Sequence, residues 1–209
     1  MRSQAHSRNL RLHRWTDASA TFFITKSLHP KRPVLDSEAR AVIVSAFRFA
    51  VEHNRIYLRA FVVMPDHWHA LFALREPWTL PKFMHDFMSY VGRKTNRLLT
   101  AHDTAWQDGY YDTHVKTAKQ FEYVAYYIEQ NPVVKGLVES PEGWDAASAA
   151  RKDLVTGPLA VFAGLGCRGT KAPPTFERRA SLCADVVHRN ARMQFNENEA
   201  AALFHLEHA

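Results

Sequence analysis

A chain of 209 residues, 46% of them apolar, is long enough for one domain with a buried core and an appendage. It has no apolar run near the roughly 20 residues that cross a bilayer, and no apolar stretch follows the basic opening MRSQAHSRNLRLHRW, so neither a membrane span nor a secretory signal is expected. With only two cysteines, Cys167 and Cys183, a disulfide framework and a cysteine-based zinc site are also set aside, and a reducing cytoplasm is the expected location.

In chain order, residues 19–26 (SATFFITK) are rich in Thr, Phe and Ile and read as a strand. Pro30 and Pro33 break the chain, and Asp36 N-caps a helix to about His53 with Ala39, Val42, Ile43, Ala46, Phe47 and Ala50 on one stripe. Residues 56–64 form a strand, Pro65–Asp66 a tight turn, and 67–74 a second strand, together a hairpin. Thr79 caps a helix to about Leu99, with Leu80, Phe83, Met84, Phe87 and Val91 on its apolar face and Tyr90, Arg93 and Arg97 on another. Residues 106–114 read as a short strand around a turn. Thr117 and Gln120 form a capping box opening a helix that is expected to stop near Asn131, because Pro132 follows. The order β-α-β-β-α-β-α favours an α+β domain with a mainly antiparallel sheet, over about residues 1–150. Residues 151–209 read as a mostly irregular or helical extension, with a final helix after Glu197.

The net charge of +6 is unevenly placed. Seven Lys/Arg, among them Arg14, Lys26 and Arg32, precede residue 36 against one acid, Asp17, and Arg93, Lys94 and Arg97 form a second cluster. Charge alone fits any solvated surface, but interleaved aromatics such as Trp15, Phe22, Phe23 and Tyr90 add weight to a nucleic-acid partner.

Two spacings carry chemistry. Side chains alternate along a strand, so His67 and His69 share a face, with Cα atoms about 6.6 Å apart, and two imidazoles so placed can converge on one cation. Trp68, Ala70, Phe72 and Leu74 then point to the opposite face and pack the core. A lone His-x-His is more often two polar residues on one side of a strand. On the helix opened by Thr117, Tyr127 and Asn131 lie four residues apart and are neighbours on one face. A phenol attacks phosphorus when a cation polarises the phosphate, and an amide oxygen is a hard ligand suited to Mg²⁺ or Mn²⁺. Tyr123, Tyr126 and Tyr127 are three tyrosines in five positions, so a packing role competes with the catalytic one.

Taken together, these segments resemble a known family. Val63-Met64-Pro65-Asp66-His67-Trp68-His69 resembles the metal motif of the single-tyrosine HUH-class transposases. Trp106-Gln107, Tyr110-Tyr111-Asp112-Thr113-His114, Tyr127-Ile128-Glu129-Gln130-Asn131-Pro132-Val133, Gly136-Leu137-Val138 and Trp144 resemble the REP-associated branch. The resemblance spans roughly residues 15–150. It implies a ferredoxin/RRM-like antiparallel sheet with helices packed on it, a divalent cation held by His67, His69 and Asn131, and a covalent 5′-phosphotyrosine at Tyr127. Its implied substrates are single strands carrying imperfect hairpins, cleaved and rejoined by a monomer or homodimer that is nucleoid-associated when bound to DNA. Asp66 stands where the family often has Asn, and Trp68 is larger than the usual aliphatic residue. Phosphate contacts are expected from Arg14, Lys26, Arg32, Arg93, Lys94 and Arg97, with Tyr90 and His114 as further DNA contacts. For His114 a packing role competes with DNA contact or proton transfer. A mobile-element transposase, a hairpin-binding protein that no longer cleaves, and a hydrolytic metal nuclease with Tyr127 structural remain the alternatives at this stage.

Overall fold

The computed structural model describes residues 20–30, 32–100 and 104–156. Arg14 and the helix expected after Glu197 lie outside the described residues. The elements follow the expected order: β1 (Thr21–Ser27), α1 (Ser37–Glu52), β2 (Ile56–Val63), β3 (His67–Leu74), α2 (Leu80–Leu98), β4 (Tyr111–Val115) and α3 (Ala118–Val134). The strands form one antiparallel sheet in the order β2-β3-β1-β4, the ferredoxin/RRM-like arrangement.

Local chemistry explains most element ends. Asp36 Oδ1 accepts the Ala39 N–H at 2.8 Å and opens α1. Thr117 Oγ1 accepts the Gln120 N–H at 3.1 Å, while Gln120 Oε1 accepts the Lys116 N–H at 3.0 Å, so the return arm of the capping box lands one residue before the cap. Thr79 occupies the N-cap of α2 but makes no side-chain cap bond; a proline in the first turn starts this helix, where its missing N–H loses nothing.

The largest difference from the sequence reading is the end of α3. The helix does not stop at Asn131 but runs through Pro132 to Val134. So close to the end, the proline forfeits only its own bond to the carbonyl four residues back, and the turn after it restores order. Gly136, at φ +65°, donates its N–H to Val133 O, and Leu137 donates to Pro132 O, both at 2.9 Å. This paired closure needs the left-handed backbone that glycine adopts without penalty.

The sheet separates two cores. Cross-strand partners share a face: Trp68 with Lys26, Ala70 with Ile24, and Phe72 with Phe22. On that side Trp68 is fully buried, edge-on to Phe47 of α1 and against Phe87 of α2, both at 5.5 Å between ring centroids. The other side, carrying Phe23, Leu71 and Ala73, is covered by Phe121, Val124, Ala125 and Ile128 of α3. The expected alternation along β3 is therefore present.

Residues 146–156 close the open edge of β2. Val63 donates to Ala146 O at 2.9 Å, and Ser148 and Thr156 donate to Phe61 O and Leu58 O at 2.8 Å. Covering an edge strand removes a template for association with other chains. The packed body thus reaches Thr156, past the boundary expected at 150.

Register sets two of the expected DNA contacts, Lys26 and His114, on the Trp68 side of the sheet. Lys26 is 6% exposed and points to the Trp68 side. Its ammonium donates to Gln107 O and, at 2.6 Å, to Gly109 O, pinning the turn that leads into β4. It is a structural residue rather than a surface cation. His114 pairs with Phe22 and lies on that same side of the sheet, its ring 6.0 Å from the Phe22 ring.

Burial pushes the Lys26 pKa down from 10.5 to about 8, with the Asp108 carboxylate acting in the opposite direction. Between those values the unfolded chain binds the extra proton, so this group makes stability rise with pH, by at most roughly 1.4 kcal/mol per unit. Urea unfolding from pH 7.5 to 10.5 is expected to show this rise relative to Lys26→Met, and parallel curves for the two proteins would contradict it.

Candidate active site

The site forms where the N-terminal end of β3 meets α3. The β1–β3 register sets Thr25 opposite His69 and Ser27 opposite His67, all on the α3 side of the sheet. Each imidazole is held at Nδ1 by an oxygen. Thr25 Oγ1 lies 2.8 Å from His69 Nδ1, and Asp66 Oδ1 lies 2.6 Å from His67 Nδ1. The His67 hydrogen bond holds the Asp66 carboxyl below the usual carboxylate range, so Asp66 is ionised at neutral pH and His67 Nδ1 must be the donor.

The two rings lie 4.6 Å apart between centroids. His69 is 3% exposed, and burial, reinforced by His67, drives its pKa well below 6.5, so it is neutral at neutral pH. Its Nε2 is buried with no protein partner. A neutral imidazole whose Nδ1 is engaged and whose Nε2 is left over has the arrangement of a metal ligand oriented by a second group.

Tyr127 approaches from α3, its ring 5.5 Å from His69 and edge-on to Phe23 at 6.2 Å. Asn131 follows one helical turn later and is buried, 6% exposed. Its backbone oxygen accepts the Lys135 N–H, a bond made possible by the continuation of α3 past Pro132. The helix is tied to β2 and its edge by Glu129, whose Oε1 accepts the Ser148 hydroxyl at 3.2 Å and lies 3.7 Å from Arg59.

Among the described residues no group of three His, Cys, Asp or Glu is placed to hold a metal. Asn131, four residues after Tyr127 on α3, is a buried amide on the Tyr127 face of the helix. Two imidazoles and an amide oxygen suit a divalent cation that retains water in its remaining positions. The residues present fit such an ion.

The expected DNA contacts do not join this group. Tyr90, Arg93, Lys94 and Arg97 are exposed on α2, across the sheet from Tyr127. Arg32 is half-buried in the β1–α1 connection, its N–H on His29 O. The sequence does not single out Thr25, and it marks Asp66 only as a departure from the family's usual Asn, not as a partner of His67. The Thr25 role depends on a partner 44 residues away, whereas an acid adjacent to a histidine is a local signal that could have found Asp66.

Thr25→Val keeps the side-chain shape but strips His69 Nδ1 of its buried partner. We expect a loss of about 1–3 kcal/mol in urea unfolding; an unchanged midpoint would mean that the bond contributes nothing.

With the geometry in place, comparisons with known proteins converge. The family described as IS200-like transposase matches residues 22–131, from β1 to Asn131. A curated relative, the REP-associated tyrosine transposase of Escherichia coli (strain K12), is 26% identical over 140 residues, covering 66% of this chain and 80% of the relative. A solved structure of a REP-associated tyrosine transposase bound to a REP hairpin superposes with a TM-score of 0.55 at 19% identity, covering 76% of this chain and 97% of that one. That structural likeness bears on the fold.

Proposed function

The chain belongs to the IS200-like transposase family, and from that premise we propose that it cleaves and rejoins single-stranded DNA through Tyr127, with Mg²⁺ or Mn²⁺ held by His67, His69 and Asn131. The observation that carries this reading is the meeting, within one chain, of the Tyr127 ring and a neutral His69 whose Nε2 has no protein partner.

When bound, the cation supplies Lewis-acid polarisation of the scissile phosphate and offsets charge on the phenol oxygen. The protein supplies position. Phe23 and His69 bracket the Tyr127 ring, limiting the angles from which its hydroxyl oxygen approaches phosphorus. Attack forms the tyrosyl O–P bond and breaks the P–O3′ bond. The departing 3′ oxygen takes up a proton, the phenol proton is lost to solvent, and the DNA stays attached through a 5′-phosphotyrosine. Attack by another 3′-OH reverses the step, so rejoining needs no external energy source. Because the histidines and the tyrosine come from the same chain, a monomer suffices in this reading.

The expected substrate is a single strand bearing a REP-like hairpin, consistent with the names of the curated relative and the structural neighbour. The exposed Arg93, Lys94 and Arg97, with Tyr90 beside them, offer phosphate contacts that position a stem without reading its sequence. They lie across the sheet from Tyr127, so the cleaved strand must pass from one side of the domain to the other. The cytoplasm, and the nucleoid during DNA binding, is the setting that fits this substrate.

Incubation with labelled hairpin-bearing single-stranded DNA and Mn²⁺ is expected to give a denaturation-resistant protein–DNA band that Tyr127→Phe abolishes while retaining binding. Free cleaved ends without the band would instead identify a hydrolytic nuclease, and binding without cleavage a hairpin-binding protein. Replacing Arg93, Lys94 and Arg97 with alanine is expected to weaken hairpin binding and lower the salt slope by about one for each of these cations that neutralises a phosphate. An unchanged slope would remove α2 from the DNA interface.

A further inference from the structure

The two candidate ligands differ in what stands behind them. His69 is backed by a neutral hydroxyl, Thr25, inside the sheet, and His67 by a carboxylate, Asp66, at its mouth. That carboxylate is presented by a turn fixed on several sides. Pro65 O accepts the Leu35 N–H at 2.6 Å, Asp66 O accepts the Leu28 N–H at 2.8 Å, and Met64 donates to His67 O at 2.8 Å. The Asp66 side chain is 73% exposed while that of His67 is only 15% exposed, so the acid reaches inward from solvent to a largely enclosed ring. A solvated carboxylate on a free surface gains little from one short contact. Here the backbone already orders the turn, so forming the hydrogen bond requires less additional ordering.

We infer that Asp66 is a positioning residue for the cation: it fixes His67 with the proton on Nδ1, leaves Nε2 as the donating nitrogen, and adds negative charge one hydrogen bond behind the site. This rests on the cation reading of His67 and His69 proposed above. Such outer partners fix ring orientation and raise ligand basicity, and their loss typically weakens metal affinity by about 10–100-fold. Asparagine at this position can still accept the Nδ1–H bond but carries no charge; alanine removes both. The carboxylate therefore contributes a part of the affinity that an amide does not.

The test uses the full-length protein, Mn²⁺ alone as the probe, and no DNA. Calorimetric or paramagnetic titration is expected to rank affinity as wild type, then Asp66→Asn, then Asp66→Ala, with the last about 10–100-fold weaker than wild type. Nitrogen NMR of the imidazoles, without metal, is expected to show His67 protonated on Nδ1 in the wild type and Asp66→Asn, and shifted towards the Nε2-protonated form in Asp66→Ala. A role confined to bracing the turn would lower thermal stability, leave the His67 proton on Nδ1 in Asp66→Ala, and give wild type and Asp66→Asn equal Mn²⁺ affinity. Equal Mn²⁺ affinity in the wild type and Asp66→Ala, or an unaltered His67 tautomer, overturns the inference while leaving the cation reading standing. Should wild type and His67→Ala bind Mn²⁺ equally, the cation reading itself falls and takes this inference with it.

Discussion

The register between β1 and β3 is the constraint on which the site depends. Side chains in a sheet alternate with a period of two, so a slip of one residue would carry His67 and His69 into the hydrocarbon under α1 and α2 and turn Trp68 towards α3. Two forces oppose the slip. Trp68 fills a pocket between Phe47 and Phe87, where removing a tryptophan side chain costs about 3–5 kcal/mol. On the reverse side, the Thr25 hydroxyl meets His69 Nδ1 and so satisfies a polar atom buried against the sheet. The apolar and polar sides of one strand thus enforce the same alignment.

From this alignment the sheet becomes a partition. One side is a conventional core between sheet and helices; the other joins a smaller core to the His67–His69 pair at one end. α3 belongs to both parts of that second side. Its Phe121, Val124 and Ile128 anchor it on the strands, the same stretch sets the Tyr127 ring against His69, and Asn131 is buried one turn further on. Burial serves chemistry here as well as stability, since desolvation keeps His69 neutral and able to donate a lone pair where an exposed histidine would be partly protonated. In the proposed reaction the chain thus contributes a pre-set geometry, and the family to which it belongs supplies the reason to expect DNA as the reactant.

The order of elements, the hairpin flanking Pro65–Asp66 and the apolar face of β3 were legible in the sequence because each rests on local periodicity or turn chemistry. Pro132 misled because the rule that proline ends a helix holds for its interior, whereas here Gly136 and Leu137 close the last turn around it. Lys26 and His114 look like surface groups in one dimension. Only strand pairing across the sheet turns them to the Trp68 side, and only the turn at Gln107–Gly109 gives the lysine its carbonyls. The pairing of His67 with His69 was readable from spacing alone, but the oxygens behind them were not deduced, and the placement of α2 and α3 on opposite sides of the sheet is a property of packing that no spacing encodes.

The central claim is that a divalent ion held by the β3 histidines lies against the tyrosine of the same chain. Mn²⁺ titrated into protein carrying ring-labelled tyrosines tests it directly, because the paramagnetic ion broadens the rings nearest to it. Of the seven tyrosines, Tyr127 is expected to broaden at the lowest Mn²⁺ concentration and Tyr90, across the sheet, to persist, with the difference lost in His69→Ala. Equal broadening of Tyr127 and Tyr90, or a pattern unaffected by His69→Ala, would contradict the account.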